Sequence, residues 1–202
     1  FKSNGYQTAY IGKWHVYGSP AGGFDRRNSP IPSHYRLGFD YWQCNECNHN
    51  YNQSPYYLNN DVTQQTWDGY DAFAQTKMAR KLIKKFSSKN QPFLLMLSWG
   101  PPHDPYHTAP DKFKDLYKEI DIKIPENVPE EHQEKAHNQL RGYYSHISAL
   151  DRCLKMIMKC LKRSALEENT LVVVTSDHGD MLFSQGLTRK LYPFEESVRI
   201  PF

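Results

Sequence analysis

The chain has 202 residues, enough for one sizeable domain with a hydrophobic core. Hydrophobic residues make up 39% and charged residues 23%, a balance that is neither that of a disordered tract nor membrane-like. The formal net charge is only +3 and the signs are mixed, so bulk electrostatics make no case for nucleic acid, and no apolar stretch approaches the ~20 residues of a membrane span.

Neither end has the form of a natural terminus. Phe1-Lys2-Ser3 is neither an initiator Met nor a leader, and Val198-Arg199-Ile200-Pro201-Phe202 heads toward another strand. The chain is therefore read as an internal fragment, which leaves cellular location open.

In chain order, Thr8-Ala9-Tyr10-Ile11 is a short β-prone run that ends in Gly12-Lys13-Trp14-His15. From Val16 to about Asn60 the chain is rich in Gly, Pro, Ser, Asn and aromatics with no sustained period, which predicts long loops forming a functional surface. Within it, Cys44, Cys47 and His49 have the residue types of half a zinc site. No second ligand pair follows at matching spacing, so a loop thiol pair or a local disulfide is the simpler reading. The sequon Asn52-Gln53-Ser54 is weakened by Pro55.

Tyr70 to Phe86 predicts an amphipathic helix, with Phe73, Ala79, Leu82, Ile83 and Phe86 on one face. Phe93-Leu94-Leu95-Met96-Leu97-Ser98 is a continuous apolar run of strand length, as for a strand buried on both faces. Pro101-Pro102-His103-Asp104-Pro105 follows as a stiff loop, then a short helix over Lys112–Tyr117 and an extended segment over Ile122–Pro129. Leu140, Tyr143, Tyr144, Ile147, Leu150, Leu154, Ile157, Met158 and Leu161 mark a long helix from about His132 to Arg163. Cys153 and Cys160 lie too far apart on it for a mutual disulfide and read as buried thiols. Leu171-Val172-Val173-Val174-Thr175 predicts a second buried strand, followed at once by Ser176-Asp177-His178-Gly179-Asp180. Strand, long helix, strand is a crossover unit, so an α/β fold with a mainly parallel, helix-covered sheet is expected.

Three predicted strands thus end in chemically capable residues: Lys13 and His15, then His103, then Asp177 and His178. In open α/β sheets ligands bind outside the carboxyl ends of the strands, so the three clusters should share one rim. Taken alone, each has a plain alternative. Asp177 and His178 form either a metal corner or a capped turn. Imidazole suits zinc or manganese better than calcium or magnesium. Lys13 with His15 is an anion site or a surface lysine beside a packed histidine, and His103 is a positioned acid or an idle loop histidine. Walker A, GxSxG and HExxH patterns are absent.

Read together, the pieces resemble a type I sulfatase of the alkaline phosphatase superfamily. Gly5-Tyr6-Gln7-Thr8-Ala9-Tyr10-Ile11-Gly12-Lys13-Trp14-His15 resembles the signature GYxTxxxGKWH. Ser176-Asp177-His178-Gly179-Asp180-Met181-Leu182, Gly186-Leu187, Lys190 and Pro193-Phe194-Glu195-Glu196-Ser197-Val198-Arg199-Ile200-Pro201 resemble the block SDHGDML…GL…K…PYEESxRVP. Pro101-Pro102-His103 resembles the family's histidine loop. The resemblance implies an alkaline-phosphatase-like three-layer α/β/α sandwich with a mainly parallel central sheet. Residues 1–202 would be part of a catalytic domain cut at both ends. It implies that Lys13 binds the sulfate and the nucleophile, that His15 hydrogen-bonds the nucleophile, and that His103 faces the departing ester oxygen. Asp177 and His178 would bind one divalent cation, usually calcium, and Lys190 would contact the sulfate. Glu195, Glu196 and Arg199 are read as structural.

The family nucleophile is a formylglycine made in a CxPSR-type motif that normally lies well before GKWH. Neither that motif nor the preceding Asp-Asp pair is present, and Cys44, Cys47, Cys153 and Cys160 lack its context. This stretch alone is therefore expected to be inactive. Gln185 stands where many relatives carry His. The expected activity of the whole protein is sulfuric ester hydrolysis on a sulfated small molecule or glycan, in an extracytoplasmic compartment. The alternatives are a phosphodiesterase or phosphonate monoester hydrolase of the same superfamily, and a non-catalytic binder of sulfated glycans. The loop Phe24–Asn60, rich in Tyr and Asn, is the candidate for sugar contact, against a loop packed on its own aromatics.

Overall fold

Strand β1 (Gln7–Lys13) shows how the sheet is filled. Its side chains alternate between two faces. Ala9 and Ile11 join Leu95 and Leu97 beneath Ala79, Leu82 and Phe86. Tyr10 goes the other way, into a cluster of Trp14, Ile31, Trp42 and Cys44 flanked by Tyr17 and Phe39. The computed structural model describes residues 1–20, 25–89 and 91–202.

The sheet also holds β2 (Tyr41–Asn45), β3 (Pro55–Leu58), β4 (Gln65–Thr66) and β5 (Phe93–Ser98), in the order β4-β3-β2-β1-β5. β1 pairs in parallel with both β2 and β5. β2–β3 and β3–β4 are antiparallel, so the sheet is mixed, where a mainly parallel one was expected. The cause is connector length: residues 46–54 and 59–64 are too short for the crossover that parallel neighbours need.

Helix α1 (Asp71–Ser87) lies on the Ala9–Ile11 face. The long α3 (Gln133–Arg163) packs beside it through Ile157, Cys160 and Leu161. A short α2 (Asp111–Lys114) adds Phe113 to a second cluster with Tyr51, Tyr70, Ala149 and Cys153. The opposite sheet face is covered by the aromatic segment between β1 and β2, among the described residues.

Four expectations are corrected. The stretch Val16–Asn60 is not loop throughout, because it contains β2 and β3. Gln43 and Asn45 in β2 are polar yet buried, which hides the strand from a hydrophobicity reading. Leu171–Thr175 is not a buried strand: Leu171 is 89% and Val173 59% exposed. An apolar run becomes a strand only when a neighbour satisfies its backbone, and these residues find none among those described. The crossover unit inferred from it does not form there. β5 is likewise not buried on both faces, since Met96 is exposed.

Gly12 of β1 pairs with Ser98 of β5 and has φ of 110°. A Cβ there would run into the Ser98 carbonyl oxygen. Gly12→Ala in the full-length protein is expected to cost about 3 kcal/mol or more in urea unfolding. A loss under about 1 kcal/mol would show that the strands separate freely.

Candidate active site

Because β1, β2 and β5 run in parallel, their carboxyl ends fall on one rim: Lys13 pairs with Asn45, and Gly12 with Ser98. The pairing continues past the strands. Trp14 N–H donates to Asn45 O at 2.9 Å and His15 N–H to Glu46 O at 2.8 Å. His15 takes a left-handed φ of 51° as the chain leaves the sheet.

His103 sits beyond β5. Its Nδ1 is 2.9 Å from Asp104 Oδ1 and 3.1 Å from Asp104 O. Its Nε2 is 2.6 Å from Lys190 Nζ. An ammonium only donates, so Nε2 accepts and the His103 proton stays on Nδ1, facing Asp104. Burial lowers the His103 pKa, and Lys190 and Lys13 lower it further against the opposing Asp104. Burial lowers that of Lys190 first, then Lys13, while Asp104, Asp180 and Asp177 act the other way. His15 is lowered by loss of water, then by Lys13, with Lys190 and Arg27 adding to it against Glu46. Lys13 thus acts on His15, His103 and Lys190 together.

Asp177 and His178 lie at the same place, with the His178 ring centroid 5.9 Å from that of His103. His178 Nδ1 is 2.7 Å from Gly179 O, so it donates there, and Nε2 is the nitrogen turned toward Asp177. That nitrogen is 3.7 Å from Asp177 Oδ2, and the Asp177 side chain is 83% exposed. An imidazole with its far nitrogen anchored on a carbonyl, beside an open carboxylate, fits two ligands of a divalent cation. No group of three or more His, Cys, Asp or Glu gathers for a metal among the described residues. The corner is docked by Gly179, whose N–H donates to Ser197 O at 2.8 Å and whose Cβ would strike Glu196 O. Ser197 and Glu196 belong to the short helix α4 (Glu195–Val198). Asn127 Nδ2 donates to Glu196 Oε1 at 2.6 Å, a structural role, while Glu195 and Arg199 are exposed. Asp180 accepts from Tyr106 Oη at 2.7 Å and from Leu182 N–H at 3.0 Å. Gln185 is exposed and makes its contact through its backbone, N–H to Asn127 O at 2.7 Å.

The half zinc site does not form. All four cysteines are free and buried, so there is no local disulfide, and Cys44 belongs to β2. Burial pushes the Cys44 thiol pKa up. What does stand at the rim is His49, stacked on His103 with centroids 4.5 Å apart. By spacing His49 reads only as a metal ligand, because its stacking partner His103 lies on a distant loop. Several aromatics of the proposed sugar-contact loop are core residues packed against the rest of the chain, Trp42 on Tyr10 and Trp14, and Tyr51 on Tyr70 and Phe113. Trp42, Tyr51 and Tyr57 are buried, and Tyr57 Oη donates to Asn28 O at 2.6 Å. Its first residue, Phe24, lies outside the described residues.

The family model for Sulfatase matches residues 1–202. The chain belongs to the sulfatase family. It is 37% identical to an ulvan-active sulfatase of Formosa agariphila, over all of this chain and 39% of that protein. It is 28% identical to an endo-4-O-sulfatase of Bacteroides thetaiotaomicron, over all of this chain and 43% of that one. The solved yidJ protein of Bacteroides fragilis superposes with a TM-score of 0.91 at 30% identity, covering 99% of this chain and 47% of that one. The α/β, alkaline-phosphatase-like fold class expected from the motifs holds. The chain spans less than half the length of these relatives.

Beneath the rim of this sulfatase chain lie two buried ionisable groups. Burial raises the Asp71 pKa to about 7, against a hydrogen bond from Ser54. Burial lowers that of His146 to about 4. His146 Nδ1 is 2.7 Å from the Tyr70 hydroxyl, and its ring meets Tyr51 edge-on. The signs oppose. Asp71 contributes stability that is full below pH 3.8 and lost as pH rises through about 7. His146 contributes stability that is full above pH 6.5 and lost as pH falls through about 4. Asp71→Asn leaves His146 unopposed, so it should lose roughly 3 kcal/mol more than the parent between pH 7 and 4. His146→Gln should tilt the profile the other way. Urea unfolding across that range checks both, and profiles parallel to the parent would refute the assignment.

Proposed function

We propose that the full-length protein is a sulfuric ester hydrolase acting on a sulfated carbohydrate, and that residues 1–202 are part of its catalytic domain. The observation that carries this reading is the Lys190–His103 contact at 2.6 Å, held within the field of Lys13. The relative named for activity on ulvan supports a polysaccharide substrate.

Each residue has a role in this reading. Lys13 and Lys190 bind the sulfuryl oxygens and hold the negative charge that persists on them, with little reorganisation because they are already in place. When the S–O bond breaks, its electron pair goes to the ester oxygen. His103, protonated on Nε2 as well as Nδ1 once the anionic group is bound, gives its Nε2 proton to this oxygen and returns to the neutral imidazole. Asp104 keeps the other nitrogen protonated and the ring oriented. His15 hydrogen-bonds the nucleophile. Asp177 and His178 would hold a divalent cation, calcium by resemblance, which when bound offsets charge on the sulfuryl oxygens. Both lie on the rim, with the rest of the ligand set coming from elsewhere in the protein. The four cysteines here are buried thiols, so the formylglycine that supplies the hydroxyl nucleophile in this reading belongs to a segment upstream. An extracytoplasmic place of action goes with the same resemblance; no helix among the described residues is long and apolar enough to cross a membrane.

In the full-length protein, His103→Ala and Lys190→Ala should each lower kcat on a sulfate ester by about 10²- to 10⁴-fold with the fold intact. Matched aryl sulfate and aryl phosphate esters should be turned over with preference for sulfate. Unchanged kcat in both variants, or a preference for phosphate, would end this reading. Calcium chelation should abolish turnover, and re-addition should restore it; turnover indifferent to chelation would remove Asp177 and His178 from the metal role.

A further inference from the structure

The function above uses His103 but does not say what holds it still. Two side chains from one short segment do so, from two directions. Tyr51 is fully buried, and its hydroxyl reaches three backbone carbonyls of the histidine loop: His103 O at 2.9 Å, Asp104 O at 3.1 Å and Gly100 O at 3.5 Å. Its own carbonyl accepts from Asp71 N–H at 2.8 Å, which ties it to the first turn of α1. The ring lies so close to Gly100 that a Cβ there would come within 2.7 Å of it. Two residues earlier, the His49 ring stacks on the His103 ring, with planes 28° apart. The Nε2 of that ring lies 3.8 Å from Cys47 Sγ.

We propose that His49 and Tyr51 form a two-point clamp that positions His103, Tyr51 fixing the loop backbone and His49 fixing the plane of the imidazole. The inference rests on the reading of His103 as the group facing the departing oxygen. The geometry divides the work by degree of freedom. The carbonyls of His103 and Asp104 set where the loop sits, and Asp104 also receives His103 Nδ1. Ring rotation about the side-chain bond remains, and a parallel neighbour at stacking distance restricts it. A face-on neighbour suits this job because it leaves both ring nitrogens of His103 to Asp104 and Lys190. His49 is held neutral, with burial lowering its pKa to about 4 and His103 and Lys13 adding to that, so the stack carries no charge repulsion.

A positioning role predicts a dependence on leaving group that a structural role does not. Proton delivery matters most when the departing oxygen is basic. The test uses the full-length protein and a series of aryl sulfates whose phenols span a range of pKa. Tyr51→Phe keeps the buried ring and removes the hydroxyl. His49→Ala removes the stack, and His49→Phe restores a ring without nitrogens. His103→Ala is the reference and should steepen the fall of kcat/KM with leaving-group pKa. Tyr51→Phe and His49→Ala should steepen it in the same sense, losing about tenfold on the poorest leaving groups and under about threefold on the best. His49→Phe should recover most of the His49→Ala loss.

Losses that are uniform across the series in Tyr51→Phe and His49→Ala, with His103→Ala steepened, would overturn the clamp and leave the function standing. So would a His49→Phe variant as impaired as His49→Ala, which would make His49 a proton-carrying or ligand-binding group. An unchanged slope in His103→Ala would overturn the role of His103 and the clamp with it. If Tyr51→Phe fails to fold, the two His49 variants decide the matter by the same slopes.

Discussion

The contact of Lys190 Nζ with His103 Nε2, across 87 positions of sequence, sets conditions that the rest of the site must meet. An ammonium has no lone pair to offer, so the imidazole accepts and carries its proton on Nδ1. That proton needs an acceptor on the opposite edge, and Asp104 supplies both a carboxylate and a carbonyl oxygen. The loop must then turn within one residue, and the carbonyls it leaves pointing inward would be costly if unpaired. The single hydroxyl proton of Tyr51 is shared between them, at 2.9 Å from His103 O and 3.1 Å from Asp104 O. Tyr51 in turn is fixed by α1, and the loop beyond Pro105 is fixed on α3 through Thr108 and His146. A single donor–acceptor pair at the rim thus propagates into the packing of two helices.

How much of this is legible in a sequence depends on whether the physics is local. The end of β1 is local, a strand, a glycine and charged residues in one short window, and so is the Ser176–Asp180 corner, a glycine among charged residues. The two long helices are legible for the same reason, since their period of apolar residues repeats within a few turns. β2 is not, because Gln43 and Asn45 are buried although polar, Gln43 accepting from the Tyr41 hydroxyl within the strand itself, so the window lacks the hydrophobicity that marks a buried strand. Leu171–Thr175 fails in the opposite sense. Its composition is that of a buried strand, but strand formation is a property of a pair, and hydrophobicity names no partner. His49 illustrates a third limit. A histidine near two cysteines reads as a metal ligand by spacing, whereas its actual neighbour, His103, lies on a loop after another strand.

The net charge of +3 conceals how charge is used. At the rim, Lys13 lowers the pKa of His15, His49, His103 and Lys190 alike. One ammonium therefore does two things through a single field. It would attract an anion, and, second to burial, it favours the neutral state of His15, His49 and His103, in which they accept, donate and stack. The two effects are linked. An anion bound between Lys13 and Lys190 would oppose that field, so the same binding event that neutralises the lysines would make it easier for His103 to hold a second proton. The histidine would be drawn toward its acidic form only when a negatively charged group is in place beside it. Burial strengthens this coupling, because a partly dry rim screens the lysines less than open water does. Gathering like charges in one place is unfavourable in the empty site, and relief of that repulsion becomes part of the affinity for an anion.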